Sequence, residues 1–127
     1  MMLNPLALII EDDLPHANLF SEALQKAGFN TEVIRDGQAA ITRLAEIMPA
    51  LVVLDLHLPH ISGEDILNYI RRDDRLVKTR VVLASADPQM ASVMREKADL
   101  VLIKPISYFQ LKQLAIRLRG STSPIGE

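Results

Sequence analysis

The feature that most limits what this chain can fold into is a rhythm. Short aliphatic runs alternate with stretches of helical period, five times over. The runs are 6–10, 31–34, 51–55, 80–84 and 100–103. Few polar residues interrupt them, so both faces of each strand must be covered. Strands of that kind, each followed by a helix, make a parallel sheet between two helical layers. Right-handed crossovers wind such a sheet in both directions. The reading is an α/β fold, a doubly wound five-stranded parallel sheet with five helices. The strand order is taken as 2-1-3-4-5, the commonest five-stranded version.

Local signals place the helices. Pro15 suits a first turn, with Asp13 or Leu14 ahead of it. Phe20, Ala23, Leu24 and Ala27 share one face of that helix, and Gly28 stops it. After the Asp36-Gly37 turn, Ala40, Ile41, Leu44, Ile47 and Met48 outline a second helix ended before Pro49. Ser62 and Asp65 stand at capping-box spacing ahead of Ile66, Leu67 and Ile70, with Arg71 and Arg72 near the end. Asp87-Pro88 opens the fourth helix, which carries Met90, Val93 and Met94. Ser107 and Gln110 open the fifth, lined by Leu111, Leu114, Ala115 and Leu118. The 127 residues suit one domain over 1–120 with a polar tail over 121–127.

Composition removes several function classes. A net charge of −2 argues against nucleic acid or an acidic membrane as partner. With no cysteine, disulfides and thiolate metal sites are excluded. No apolar run approaches a membrane span, and the first residues do not read as a signal peptide, so the expected compartment is the cytoplasm. Aromatic residues are 4% of the chain, too few for base-stacking platforms.

In a parallel sheet the carboxyl ends of all strands converge on one edge, where ligands bind. Here those ends carry Glu11 and Asp12, Asp55, Ser85 and Lys104. Crowded carboxylates favour a proton or a divalent cation between them. An oxygen-only set suits Mg²⁺ or Mn²⁺. A lysine and a hydroxyl beside the cation suit phosphoryl oxygens. Each residue has a plain structural explanation by itself. Asp13 reads as a helix cap, Ser85 as a turn residue and Lys104 as a surface lysine. Their placement together on successive strand ends is what favours a site.

Four pieces carry a family resemblance: Ile9-Ile10-Glu11-Asp12-Asp13, Val53-Leu54-Asp55-Leu56-His57-Leu58-Pro59 with Ser62-Gly63, Leu83-Ala84-Ser85-Ala86, and Ile103-Lys104-Pro105. In this order the chain resembles the flavodoxin-like receiver domain of two-component response regulators over about residues 6–118. The resemblance implies a phospho-accepting regulatory domain rather than an enzyme, with self-catalysed phosphoryl transfer and slow autodephosphorylation. Asp55 would be the phosphoacceptor. Mg²⁺ would be held by Asp12, Asp55 and the His57 backbone carbonyl, with Glu11 holding a metal-bound water. Lys104 would contact the phosphoryl group and Ser85 would swing to bind it, helped by the backbone N–H groups of Ala86 and His57. The implied partners are a sensor histidine kinase or phosphotransfer protein and a downstream output domain or target. A phosphorylation-dependent homodimer is a further option. The output face would be the fourth helix, fifth strand and fifth helix, rimmed by Arg95, Lys112 and Arg117. A stand-alone regulator and a receiver within a longer chain both stay open.

The chain departs from the family at Val101, where a switch tyrosine or phenylalanine is usual, and at Lys97, usually glycine. Tyr108 and Phe109 read as packing residues. His57 and His60 lack a third ligand at zinc spacing. The resemblance implies that His57 and Asp87 flank the approach of a hydrolytic water; His57 would obstruct it or Asp87 orient it, and obstruction by His57 is favoured because Asp87 reads as a helix cap.

Three other functions compete. An aspartate phosphatase resembling the haloacid dehalogenase type wants a second aspartate where His57 stands, and a cap domain for which there is no room. A flavodoxin-type cofactor site would set a phosphate against Glu11, Asp12 and Asp13, and no glycine-rich nucleotide loop occurs. A pure interaction domain would have no use for the acids, hydroxyl and lysine together.

Overall fold

The computed structural model describes residues 4–121, with the side chain of Ser121 left out. Strands β1 (Leu6–Ile10), β2 (Asn30–Ile34), β3 (Leu51–Asp55), β4 (Arg80–Ser85) and β5 (Leu100–Ile103) alternate with helices α1 (Leu14–Lys26), α2 (Gly37–Leu44), α3 (Gly63–Arg72), α4 (Pro88–Met94) and α5 (Tyr108–Ser121). The sheet is parallel throughout, in the order β2-β1-β3-β4-β5. The fold class, strand order and helix count thus agree with the reading from sequence. The tail expected over 121–127 lies, beyond Ser121, outside the described residues.

Alternation along the strands builds two cores. Leu8, Ile10, Val52, Leu54, Val81 and Leu83 face one way, onto Ala40 and Leu44 of α2, Ile66, Leu67 and Ile70 of α3, and Ala91 and Met94 of α4. Ala7, Ile9, Val53, Val82 and Ala84 face the other, onto Phe20, Ala23 and Leu24 of α1 and Leu111, Ala115 and Leu118 of α5. Every residue of β3 is buried, as its central place requires. Truncating Phe20, 2% exposed, to alanine removes on the order of 3–5 kcal/mol of packing.

The caps follow the side-chain chemistry. Asp13, Asp36, Ser62 and Asp87 each accept a hydrogen bond from a backbone N–H in the first turn of α1, α2, α3 and α4. Gly28 takes φ +101°, a left-handed conformation that ends α1. Two expectations need correction, and one element is new. Helix α2 stops at Leu44, before Ile47 and Met48, and Met48 is 68% exposed. The cause lies at the chain reversal into β3, where Ala50 N–H already donates to Leu6 O. In α4 Ala91 and Met94 are buried and Met90 packs against the same core, but Val93 is 68% exposed because its helical position turns away from the sheet. A short 3-10 turn, Asp74–Leu76, follows α3 and buries Leu76.

Candidate functional site

The site starts with three acids at strand ends. Glu11 follows β1 and is 1% exposed, and Asp55 closes β3 and is 4% exposed. Asp12 is half-buried beside them. One carboxylate oxygen from each of Glu11, Asp12 and Asp55 lies within 4.8 Å of the others. That is an all-oxygen donor set of the kind hard divalent cations prefer. The expected fourth ligand, the His57 backbone carbonyl, belongs to the loop that begins at Leu56, and the His57 backbone N–H donates to Asp55 Oδ1 at 3.1 Å.

Lys104 enters from the end of β5. Its Nζ stands 3.0 Å from Glu11 Oε1 and 3.5 Å from Asp55 Oδ1. Burial pushes the Glu11 carboxyl up to about 7, the hydrogen bond from Lys104 opposes the rise, and the Asp55 charge adds to it. For Lys104 burial works against the charge and is the largest single influence. The hydrogen bond to Glu11 and the charges of Asp55 and Glu11 together outweigh it and raise its pKa. The mouth therefore holds a firmly charged ammonium facing more carboxylate than it can neutralise.

Ser85 ends β4 and is fully buried. Its Oγ accepts from Asp87 N–H at 3.0 Å, lies 3.3 Å from Asp87 O, and sits 3.2 Å from His57 Nε2. Asp87 Oδ1 is turned to its own helix, accepting from Gln89 N–H and Met90 N–H at 3.0 and 3.3 Å. Backbone bonds lock the strand ends together: Leu56 N–H donates to Ala84 O at 3.0 Å, and Lys104 N–H to Ser85 O at 2.8 Å. The Lys104–Pro105 peptide is cis.

All the side chains singled out at strand ends thus meet at one mouth. The other singled-out residues fall elsewhere. His16 pairs with Asp13 at 3.0 Å in the first turn of α1 and stacks on Phe20. His60 is an exposed loop residue with φ 71°. Val101 belongs to the core beside α4, and Lys97 pairs with Glu64 of α3 at 3.3 Å. Tyr108 packs on the core beside α5, whereas Phe109 is 66% exposed.

Two contributors have no obvious sequence signal. Arg35, after β2, donates from Nε and Nη2 to Asp12 O at 3.3 and 3.1 Å, holding the β1–α1 loop. Gly63 starts α3 so close to the Asp55 strand end that a Cβ would lie 2.6 Å from Asp55 O and from Leu56 Cα. The Ser62-Gly63 pair is visible in the sequence, but the reason for glycine is not.

Comparison with known proteins identifies the family. The family model of the response regulator receiver domain matches residues 7–116. The chain is 32% identical over 117 residues to methanogenesis regulatory protein FilR2 of Methanothrix harundinacea, covering 84% of this chain and 76% of that protein. It is 36% identical over 120 residues to transcriptional regulatory protein TrcR of Mycobacterium tuberculosis, covering 92% of this chain and 45% of that protein. The chain therefore spans less than half of TrcR's length. Among solved structures, the signal receiver domain of a signal transduction histidine kinase from Syntrophus aciditrophicus superposes with a TM-score of 0.83 at 26% identity, covering 97% of this chain and 95% of that one. Sequence, fold and comparisons converge, and the chain belongs to the family of response regulator receiver domains.

Proposed function

We propose that this domain takes a phosphoryl group on Asp55 from a histidine kinase or phosphotransfer partner and changes its output face in response. The observation that carries the reading is Asp55 itself: a nearly buried carboxylate held between Lys104 and two further acids. A Coulombic arrangement this unfavourable is suited to a ligand that brings positive charge.

A carboxylate oxygen of Asp55 attacks phosphorus in line. The bond from phosphorus to the donor's nitrogen or oxygen breaks, and the donor leaves with the electron pair. Glu11, Asp12, Asp55 and the His57 backbone carbonyl would hold Mg²⁺ or Mn²⁺, with Glu11 acting through a bound water. Bound there, the cation supplies charge neutralisation for the transferring oxygens. Lys104 does the same from the β5 side, and the Ser85 hydroxyl would donate to a phosphoryl oxygen. The product is an acyl phosphate whose oxygens favour a second arrangement of the β4–α4 and β5–α5 loops.

The proposed output face is α4, β5 and α5, with Arg95, Lys112 and Arg117 on its rim. The exposed Val93, Ile103 and Phe109 on those elements support it. Among the described residues no helix is long and apolar enough to cross a membrane, and we place the domain in the cytoplasm. What the whole protein controls depends on its target or on an attached output domain.

The test is intact mass after incubation with Mg²⁺ and a small acyl phosphate donor. One added phosphate is expected on the wild-type chain and none on Asp55→Asn. Phosphorylation of Asp55→Asn would overturn the assignment.

A further inference from the structure

We infer that the His57 imidazole is a positioning residue for Ser85, a latch that holds the hydroxyl away from Asp55 until a phosphoryl group competes for it. This deepens the reading of Asp55 as phosphoacceptor and rests on it.

Hydrogen-bond capacity limits what the Ser85 hydroxyl can do. A serine hydroxyl has one proton and two lone pairs. Asp87 N–H, at 3.0 Å, occupies one lone pair of Ser85 Oγ. Two more partners remain, His57 Nε2 at 3.2 Å and Asp87 O at 3.3 Å. If Nε2 carries a proton, it takes the second lone pair and the hydroxyl proton goes to Asp87 O. If Nε2 is bare, the hydroxyl proton goes to Nε2. In both cases the hydroxyl proton is committed to His57 or Asp87, and in both His57 holds one side of the oxygen. Ser85 is fully buried, so no bulk water stands ready to replace a lost partner.

His57 is well placed for the task. Its backbone N–H is tied to Asp55 Oδ1 while its ring reaches Ser85, so one residue spans the ends of β3 and β4. Its ring is exposed, so a released imidazole meets water at little cost. A phosphoryl oxygen on Asp55 needs the Ser85 proton and must displace one of these contacts. The core site of Val101 offers no ring to register that displacement, whereas His57 registers it directly.

Substitutions at His57 separate latch from bulk. His57→Phe keeps a ring and removes the hydrogen bond; His57→Gln restores a polar group of similar reach. The probe is beryllofluoride with saturating Mg²⁺, titrated by amide chemical shifts of the β4–α4 loop. It is not hydrolysed, so water access does not enter. We expect His57→Phe to bind the probe about three- to tenfold more tightly, the loss of one hydrogen bond, and His57→Gln to bind like wild type. In a Ser85→Ala background the difference between His57 and its phenylalanine replacement should vanish. Equal affinity of wild type and His57→Phe, or a difference that persists without Ser85, would overturn the latch.

A second measurement needs no ligand. The His57 ring ¹⁵N shifts of the metal-free protein should change on Ser85→Ala, and unchanged shifts would also overturn the latch. If wild type and all variants ignore beryllofluoride, the phosphoacceptor reading fails instead, and the ring shifts still decide the contact.

Discussion

The two ends of the sheet solve opposite problems. At the amino end of the strands, where helices finish, arginines meet carbonyls at or just past the helix ends. Arg75 Nη2 donates to Leu44 O at 2.7 Å, Arg119 Nε to Gly28 O at 2.9 Å, and Arg71 Nε to Lys97 O at 3.0 Å. These carbonyls close α2, α1 and the turn after α4, where helix geometry leaves acceptors unpaired and the dipole is negative. Asp99 is paired as well, accepting from Val81 N–H at 2.7 Å and Arg71 at 3.0 Å. Charge here is matched to need. At the carboxyl end Lys104 is the one described cation paired with the Glu11 and Asp55 carboxylates, and Arg35 reaches Asp12 only at its backbone carbonyl. The lesson is that matched charge marks the end that holds the fold, and surplus charge marks the end that waits for a ligand.

The comparison can be broken most directly at Asp12. Asp12→Ala should weaken Mg²⁺ binding at least about tenfold, on the order of 1.4 kcal/mol or more, while raising the melting temperature of chelator-treated protein. Metal titration and thermal unfolding in EDTA check both, and a mutant that binds metal normally or melts lower in EDTA would show that the acids are matched after all.

A pH series sharpens the same point. Without metal, the folded-state Glu11 carboxyl sits near 7, above its ordinary 4.5. The folded state then holds this proton more tightly than the unfolded state. Its stabilising contribution is complete below about 4.5 and is lost as pH rises through about 7. Wild type should thus lose stability relative to Glu11→Gln over that window, on the order of 2 kcal/mol. Denaturant unfolding in EDTA at pH 5 and pH 8 reads the difference.

At the other end, Arg71→Ala should cost about 1–2 kcal/mol, discounted for its partial exposure. It should leave the phosphate added to Asp55 unchanged. The smallest effect belongs to Lys97→Ala. Its pair with Glu64 is exposed on both sides, and the stability change should stay within about 0.5 kcal/mol.

Much of this was legible because strand ends and helix starts are written locally. The β3 run ends in Asp55, and Asp13, Ser62 and Asp87 precede their helices as caps do. What stayed hidden depends on distant parts of the chain. Nothing near Arg75 points to a carbonyl at Leu44, and nothing near Arg35 points to Asp12. The early end of α2 has the same origin, since residues 45–48 carry helical apolar spacing but lie in the turn that leads to β3. His57 could be read as bulk beside Asp55; that its ring meets Ser85 depends on the loop's path.

The contact of Gly63 with the Asp55 strand end has one more consequence. Gly63 N–H also donates to Leu56 O at 3.3 Å, so the excursion between them is pinched shut at its base. A loop closed this way insulates its anchor from its own length. Doubling such a segment costs only about 0.6 kcal/mol in closure entropy. Residues could be inserted around Pro59 and His60 without shifting Asp55. That makes the tip of this loop a place where a grafted tag, a protease site or a new recognition sequence would be tolerated while the Asp55 strand end stays put.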